Sequence, residues 1–132
     1  MKTSKYLTTI CLILGTMLPL IVDTGHTHLL NPDWDAHSRV HEVWRLSTNI
    51  FIAGIGLYLL WVSNYLLLPA LLSSCIVLGF FSSIFTMSLY GGVPIGEGIE
   101  EPNPFGIPAN IFVFIIIGII QSVSFIFLFK NR

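Results

Sequence analysis

From Ile107 to Phe129 the chain reads Ile-Pro-Ala-Asn-Ile-Phe-Val-Phe-Ile-Ile-Ile-Gly-Ile-Ile-Gln-Ser-Val-Ser-Phe-Ile-Phe-Leu-Phe, without one formally charged side chain. A helix needs about 20 mostly apolar residues to cross a hydrocarbon core of roughly 30 Å, and this run meets that length. In lipid each backbone N–H and C=O must be paired inside the segment, so such a run folds as a helix. Three more uncharged stretches precede it: Tyr6 to Val22, Leu46 to Val62 and Leu66 to Leu89. All thirteen Lys, Arg, Asp and Glu residues lie outside these four stretches, at the termini or in two internal segments. The whole chain of 132 residues is 54% hydrophobic and 10% charged, against about 25% charged residues in an average soluble domain. These features predict one all-α domain, an integral membrane four-helix bundle with spans at about 6–22, 46–62, 66–89 and 107–129.

Lys2 and Lys5 ahead of the first apolar run also suit a secretory signal peptide. Pro19-Leu20-Ile21-Val22-Asp23 offers no Ala-x-Ala cleavage pattern, so the run is expected to stay as a helix. Positive residues favour the cytoplasmic side. Lys2 and Lys5 before the first span, and Lys130 and Arg132 after the last, predict that both termini are cytoplasmic, in a bacterial plasma membrane. Segments 23–45 and 90–106 then share the outer face and hold all seven acidic residues and all four histidines.

A net charge of −1 without a basic cluster argues against nucleic acid as a partner. Cys11 and Cys75 lie inside apolar runs and form no redox motif. The expected partners are membrane lipid, a lipophilic small molecule, and further copies of the chain through small-residue helix faces. Gly79 with Ser83, and Gly118 with Ser122, have the small-x-x-x-small spacing that lets membrane helices approach closely. Gln121, near mid-membrane, is expected to donate a hydrogen bond between helices.

The segment from Asp23 to Arg45 carries the chemistry. Asn31-Pro32 reads as a helix start, with Asn31 as N-cap, Pro32 at the first helical position, and Asp33 and Asp35 complementing the helix dipole. Trp34, His37, His41, Trp44 and Arg45 would then share one helical face, continued inward by Thr48 and Asn49. Asp35 with Arg39, and Glu42 with Arg45, stand at ion-pair spacing. The second outer segment is rich in glycine and proline and reads as a long loop. Tyr90, Asn110 and the glutamates at 97, 100 and 101 are expected to complete the polar site from that side.

Two chemistries fit these residues. His26-x-His28 and His37-x-x-x-His41 have metal-ligand spacing, and Asp33, Glu97, Glu100 or Glu101 would complete a tetrahedral set for a divalent metal. Alternatively His37, His41, Arg45 and Glu97 are catalytic acid–base groups acting on a lipophilic substrate, as an isomerase or cyclase requires. The ligand-binding set would be Trp34, His37, Arg39, His41, Arg45, Asn49, Tyr90 and Asn110. The same residues equally suit a structural network in a noncatalytic accessory subunit.

The run His28-x-x-Asn31-Pro32-x-Trp34-x-x-His37-x-Arg39-x-His41, with Gly106-Ile107-Pro108-x-Asn110 opening the last helix, resembles a group of uncharacterised small four-span membrane proteins of bacteria and fungi. Asp35-Ala36 stands where that group carries a proline-rich dipeptide. The resemblance spans nearly the whole chain and implies the four-span architecture and a shared outer-face motif, with no activity attached. Other four-span families are excluded by residue type. Tyr6 to Val22 lacks the embedded glutamate of small multidrug exporters, and the outer segments lack the cysteine pairs of quinone-linked thiol oxidoreductases and claudin-like proteins.

Overall fold

Four helices form in chain order: α1 over Lys2–Asp23, α2 over Ala36–Trp61, α3 over Leu67–Tyr90 and α4 over Ala109–Lys130. The computed structural model describes residues 2–96, 100 and 102–130. Each helix is long and apolar enough to cross a membrane, and no strand occurs among the described residues. The chain is therefore an all-α, multi-pass membrane protein. The expected spans match the helices, except that α2 extends ten residues beyond its apolar run toward the loop-bearing end.

Antiparallel packing is visible residue by residue. Between α1 and α4, Thr8 and Ser124 hydroxyls lie 2.8 Å apart, Ser124 donates to the Ser4 carbonyl at 3.0 Å, and Cys11 Sγ approaches the Ile117 carbonyl at 3.5 Å. Between α1 and α2, Trp61 Nε1 donates to Thr9 Oγ1 at 3.0 Å, and Asp23 meets Arg45 at the other end. Lys2 and Lys130 thus lie at one end of the bundle, and Asp23, Ala36, Tyr90 and Ala109 at the other. The short α2–α3 turn is fastened at the terminal end, where Lys5 Nζ donates to Asn64 Oδ1 at 3.2 Å. Asn64 has φ 58°, a left-handed conformation that Asn tolerates better than most side chains.

Exposed aromatic residues lie near both ends of α2. Tyr6, Trp61 and Tyr65 sit at the terminal end, with Lys5 Nζ 4.3 Å above the Trp61 ring. Trp44 is exposed near the other end of α2. Trp44 and Trp61 are separated by about 26 Å along the helix axis at 1.5 Å per residue, close to a hydrocarbon thickness.

The core is thin, and most large apolar side chains face outward, as lipid requires. Leu12, Ala53, Ile76 and Phe114 form one buried cluster, and Cys11, Val77 and Ile117 another. Phe80 stacks on Phe114 with ring centres 3.9 Å apart. Gly118 faces α3, where an added Cβ would lie 3.6 Å from Phe81 and Val77. Gly79 instead has open space around it, and the Ser83 and Ser122 hydroxyls bond to carbonyls of their own helices. Of the two small-residue pairs, only the one on α4 places its glycine inside the bundle.

Gln121 departs from expectation. It is 4% exposed, on the same face of α4 as Ile117 and Ser124, yet neither its amide nitrogen nor its oxygen finds a partner among the described residues. The buried hydroxyl of Ser73 on α3 is also unpartnered. A buried polar group without a hydrogen bond costs about 1–3 kcal/mol. Among the described residues, α3 and α4 thus each carry a buried polar side chain without a partner.

Sequence reading passed over Gly56, which faces Leu12 of α1. A Cβ at position 56 would lie 2.9 Å from Leu12 Cδ1, and Leu12 is fully buried with no free direction to yield. Gly54 faces open space. Gly56→Leu should lower thermal stability in detergent by about 1–3 kcal/mol through overpacking. Gly54→Leu, placing its side chain in lipid, should leave the melting temperature unchanged or raised.

Candidate functional site

Helix α2 begins later than the Asn31-Pro32 signal predicts. Its N-cap is Asp35, whose Oδ1 accepts from the backbone N–H of His37 at 2.8 Å and of Ser38 at 3.1 Å. Ser38 returns a short hydrogen bond from its hydroxyl to Asp35 Oδ2. Asn31 caps a turn instead: its Oδ1 accepts from the Asp33 N–H at 3.0 Å, and its carbonyl from the Trp34 N–H at 3.3 Å. Arg39 decides between the two starts. Its guanidinium donates to the carbonyl of Asn31 at 2.9 Å and of Trp34 at 3.3 Å. These are carbonyls that a helix begun at Asn31 would direct along its own axis. The expected Asp35–Arg39 ion pair is absent for the same reason, since Asp35 caps the helix and Arg39 holds the loop.

A second clamp joins α1 to α2. Arg45 donates to Asp23 Oδ2 at 2.5 Å and also binds both carboxylate oxygens of Glu42. Asp23 ends α1, where the helix dipole disfavours an anion, and the guanidinium offsets that cost. His28 is packed into the same loop, with Nδ1 3.0 Å from Thr27 Oγ1 and its ring edge-on to Trp34 at 5.5 Å. Trp34 thus belongs to the loop rather than to the helical stripe that the sequence predicts. His26 is exposed.

The described surface between loop and helix forms an open groove of about 450 Å³. Asp33, Trp34 and Asp35 line it from the loop, and Ser38, His41, Glu42 and Arg45 from α2. Three carboxylates face one guanidinium, so the lining is anionic. On the α2 wall of the groove, His41 brings its Nε2 to 2.9 Å from that of His37, and its ring stacks on Trp44 with centres 6.0 Å apart.

The remaining expected residues lie elsewhere or serve other contacts. Tyr90 folds back to donate to the Ser83 carbonyl of its own helix at 2.7 Å, and Asn110 Nδ2 ties the start of α4 to the preceding loop by donating to the Pro94 carbonyl at 2.9 Å. Asn49 is half-buried one turn below Arg45, its carbonyl 3.5 Å from Thr16 Oγ1. Glu97 and Glu101 lie outside the described residues. Among the described residues, no three His, Cys, Asp or Glu side chains converge on a point that would hold a metal, so the expected tetrahedral set is not assembled there. Comparison with known proteins adds no relative: no protein-family model, curated protein or solved structure matches the chain.

Two measurements test this architecture. Arg39→Ala leaves the Asn31 and Trp34 carbonyls without their charged donor, and should open the 24–35 loop to protease at least several-fold faster. The corresponding destabilisation is about 1.5–3 kcal/mol, the range for hydrogen bonds to charged groups.

The hydrogen bonds from Ser38 and His37 hold the Asp35 carboxyl below the usual carboxylate range. A lowered folded-state pKa gives stability that is complete above the unfolded pKa and is lost as pH falls through the folded one. The protection factors of the His37 and Ser38 amides, exchange rates corrected for their intrinsic pH dependence, should therefore fall below about pH 4, and Asp35→Asn should flatten that pH dependence.

Proposed function

We propose that this small multi-pass membrane protein binds a lipophilic molecule with a cationic head at the groove between the 24–35 loop and α2. The observation that carries the reading is the lining itself, where the carboxylates of Asp33, Asp35 and Glu42 outnumber the single guanidinium of Arg45 beside the Trp34 indole. An ammonium group is attracted both by the excess negative charge and by an aromatic face. Val40, Val43 and Trp44 are exposed on the adjoining side of α2 and offer an apolar path for a chain descending toward the bilayer. Arg39 and Arg45 act as framework, holding the walls before any ligand arrives, which lowers the ordering cost of binding. Lys2, Lys5 and Lys130 at the terminal end support a cytoplasmic placement of the termini, in a bacterial plasma membrane, with the groove outside. On the resemblance drawn from the His28 to His41 run, the same loop latch would recur throughout that group.

A second reading takes the chain as a noncatalytic accessory subunit whose rigid loop and exposed Gly79–Ser83 seam contact other proteins. It is favoured by one observation: Asn31, Asp35, Arg39 and Arg45 are all bonded within the chain.

Tryptophan fluorescence separates the readings. In a variant keeping Trp34 but carrying Trp44→Phe and Trp61→Phe, a dodecyltrimethylammonium probe should change emission saturably in lipid nanodiscs. A dodecyl maltoside probe should not. Asp33→Asn, which removes a groove charge whose backbone contacts persist, should weaken that response about fivefold, or about 1 kcal/mol. Equal responses to the two probes, or an unchanged midpoint in Asp33→Asn, would favour the accessory reading.

A further inference from the structure

We propose that His37 and His41 form an open, two-imidazole chelate for a divalent transition metal of the copper and nickel class. This inference does not rest on what the groove binds, although His41 also lines the groove.

The two residues are one turn apart on α2, both exposed, and their Nε2 atoms are 2.9 Å from one another. Metal–imidazole bonds are about 2.0–2.1 Å long, so one ion bonded to both nitrogens would see them at an angle of about 90°. A tetrahedral ion would instead hold two such nitrogens about 3.3 Å apart. The ring positions agree with the first arrangement. Each ring centre lies about 1.1–1.2 Å behind its nitrogen, so two rings pointing at one ion with a right angle between them have centres about 4.5 Å apart. The observed separation is 4.5 Å, with the ring planes at 88°.

The same two nitrogens also lie within hydrogen-bond distance of each other, an N–H···N contact that a bound ion would replace by bonding to both. Adjacent positions at a right angle are what tetragonal Cu(II) and Ni(II) offer, whereas structural zinc is tetrahedral.

The surroundings prepare the pair. The Asp35 cap fixes the first turn through the His37 N–H, and Trp44 stacks on His41 and limits its rotation. Both rings are exposed, so the ion's other positions are open to water or an incoming ligand. His26 and His28 contribute nothing to this point: His26 stands on the loop, and His28 is engaged with Thr27 and Trp34.

The test uses full-length, untagged protein in detergent micelles, treated with chelator and titrated with Cu(II) alone. One ion should bind per chain, with nitrogen hyperfine structure in its electron paramagnetic resonance spectrum and quenching of Trp44 fluorescence. Either His37→Ala or His41→Ala should weaken binding by about tenfold or more, since the remaining imidazole binds alone. Both positions are on the surface, and a far-UV circular dichroism melt will verify that the variants remain folded. His26→Ala and His28→Ala should bind as the parent does. Parental affinity in His37→Ala and His41→Ala would overturn the proposal, as would an equal loss in His26→Ala or His28→Ala. Asp33→Asn, which tests the amphiphile reading, should leave the copper titration unchanged, so the two proposals fail separately.

Discussion

Arg39 reaches back to the carbonyls of Asn31 and Trp34, and that grip sets both the start of α2 and the shape of the loop before it. A charged donor on two backbone acceptors is among the stronger neutral-acceptor arrangements, because the guanidinium is planar and fixed in geometry. Without it, the peptide groups from Asn31 to Trp34 would be free to extend the helix backward. With it, Asp35 becomes the cap, Trp34 turns toward His28, and the loop wall of the groove stands at a fixed angle to α2. The Asp23–Arg45–Glu42 clamp repeats the device one level nearer the membrane, fastening the end of α1 to the same helix.

The spans were legible because lipid imposes a blunt rule: charge is tolerated only outside it. Four uncharged runs became four helices, and Glu42–Arg45 formed the pair that its spacing indicates. The loop was harder. Asn31-Pro32 and Asp35-Ala36 are both sound N-terminal signals, and local propensity does not rank them. A long-range donor at Arg39 does, through a backbone contact that leaves no trace in side-chain periodicity. Tyr90 and Asn110 illustrate the same limit. Position along a helix indicated their height in the membrane but not the carbonyls of Ser83 and Pro94 that engage them. The His37–His41 spacing was visible in the sequence, whereas the 2.9 Å approach of their Nε2 atoms depends on side-chain rotamers that spacing does not specify.

Inside the bundle the balance is different. Ser4, Thr8 and Ser124 satisfy one another across α1 and α4, while Gln121 and Ser73 do not find partners among the described residues. Polar groups in membrane bundles help hold helices together only when paired, and the measured gain is modest even then. The Leu12 side chain seated against Gly56, and the stacked Phe80–Phe114 pair, supply packing that does not depend on those hydrogen bonds.

The length of α2 also has a directional consequence. Its 26 residues amount to about 39 Å of helix, so roughly two turns rise clear of a 30 Å hydrocarbon layer. The imidazole pair is therefore carried on a mast whose phase is tied to the buried part of the same rod. One residue inserted between Leu46 and Ala53 would lift the ring pair by about 1.5 Å and swing it by about 100° around the axis. Height above the bilayer and compass bearing are thus coupled in this fold, and neither can drift without changing the other.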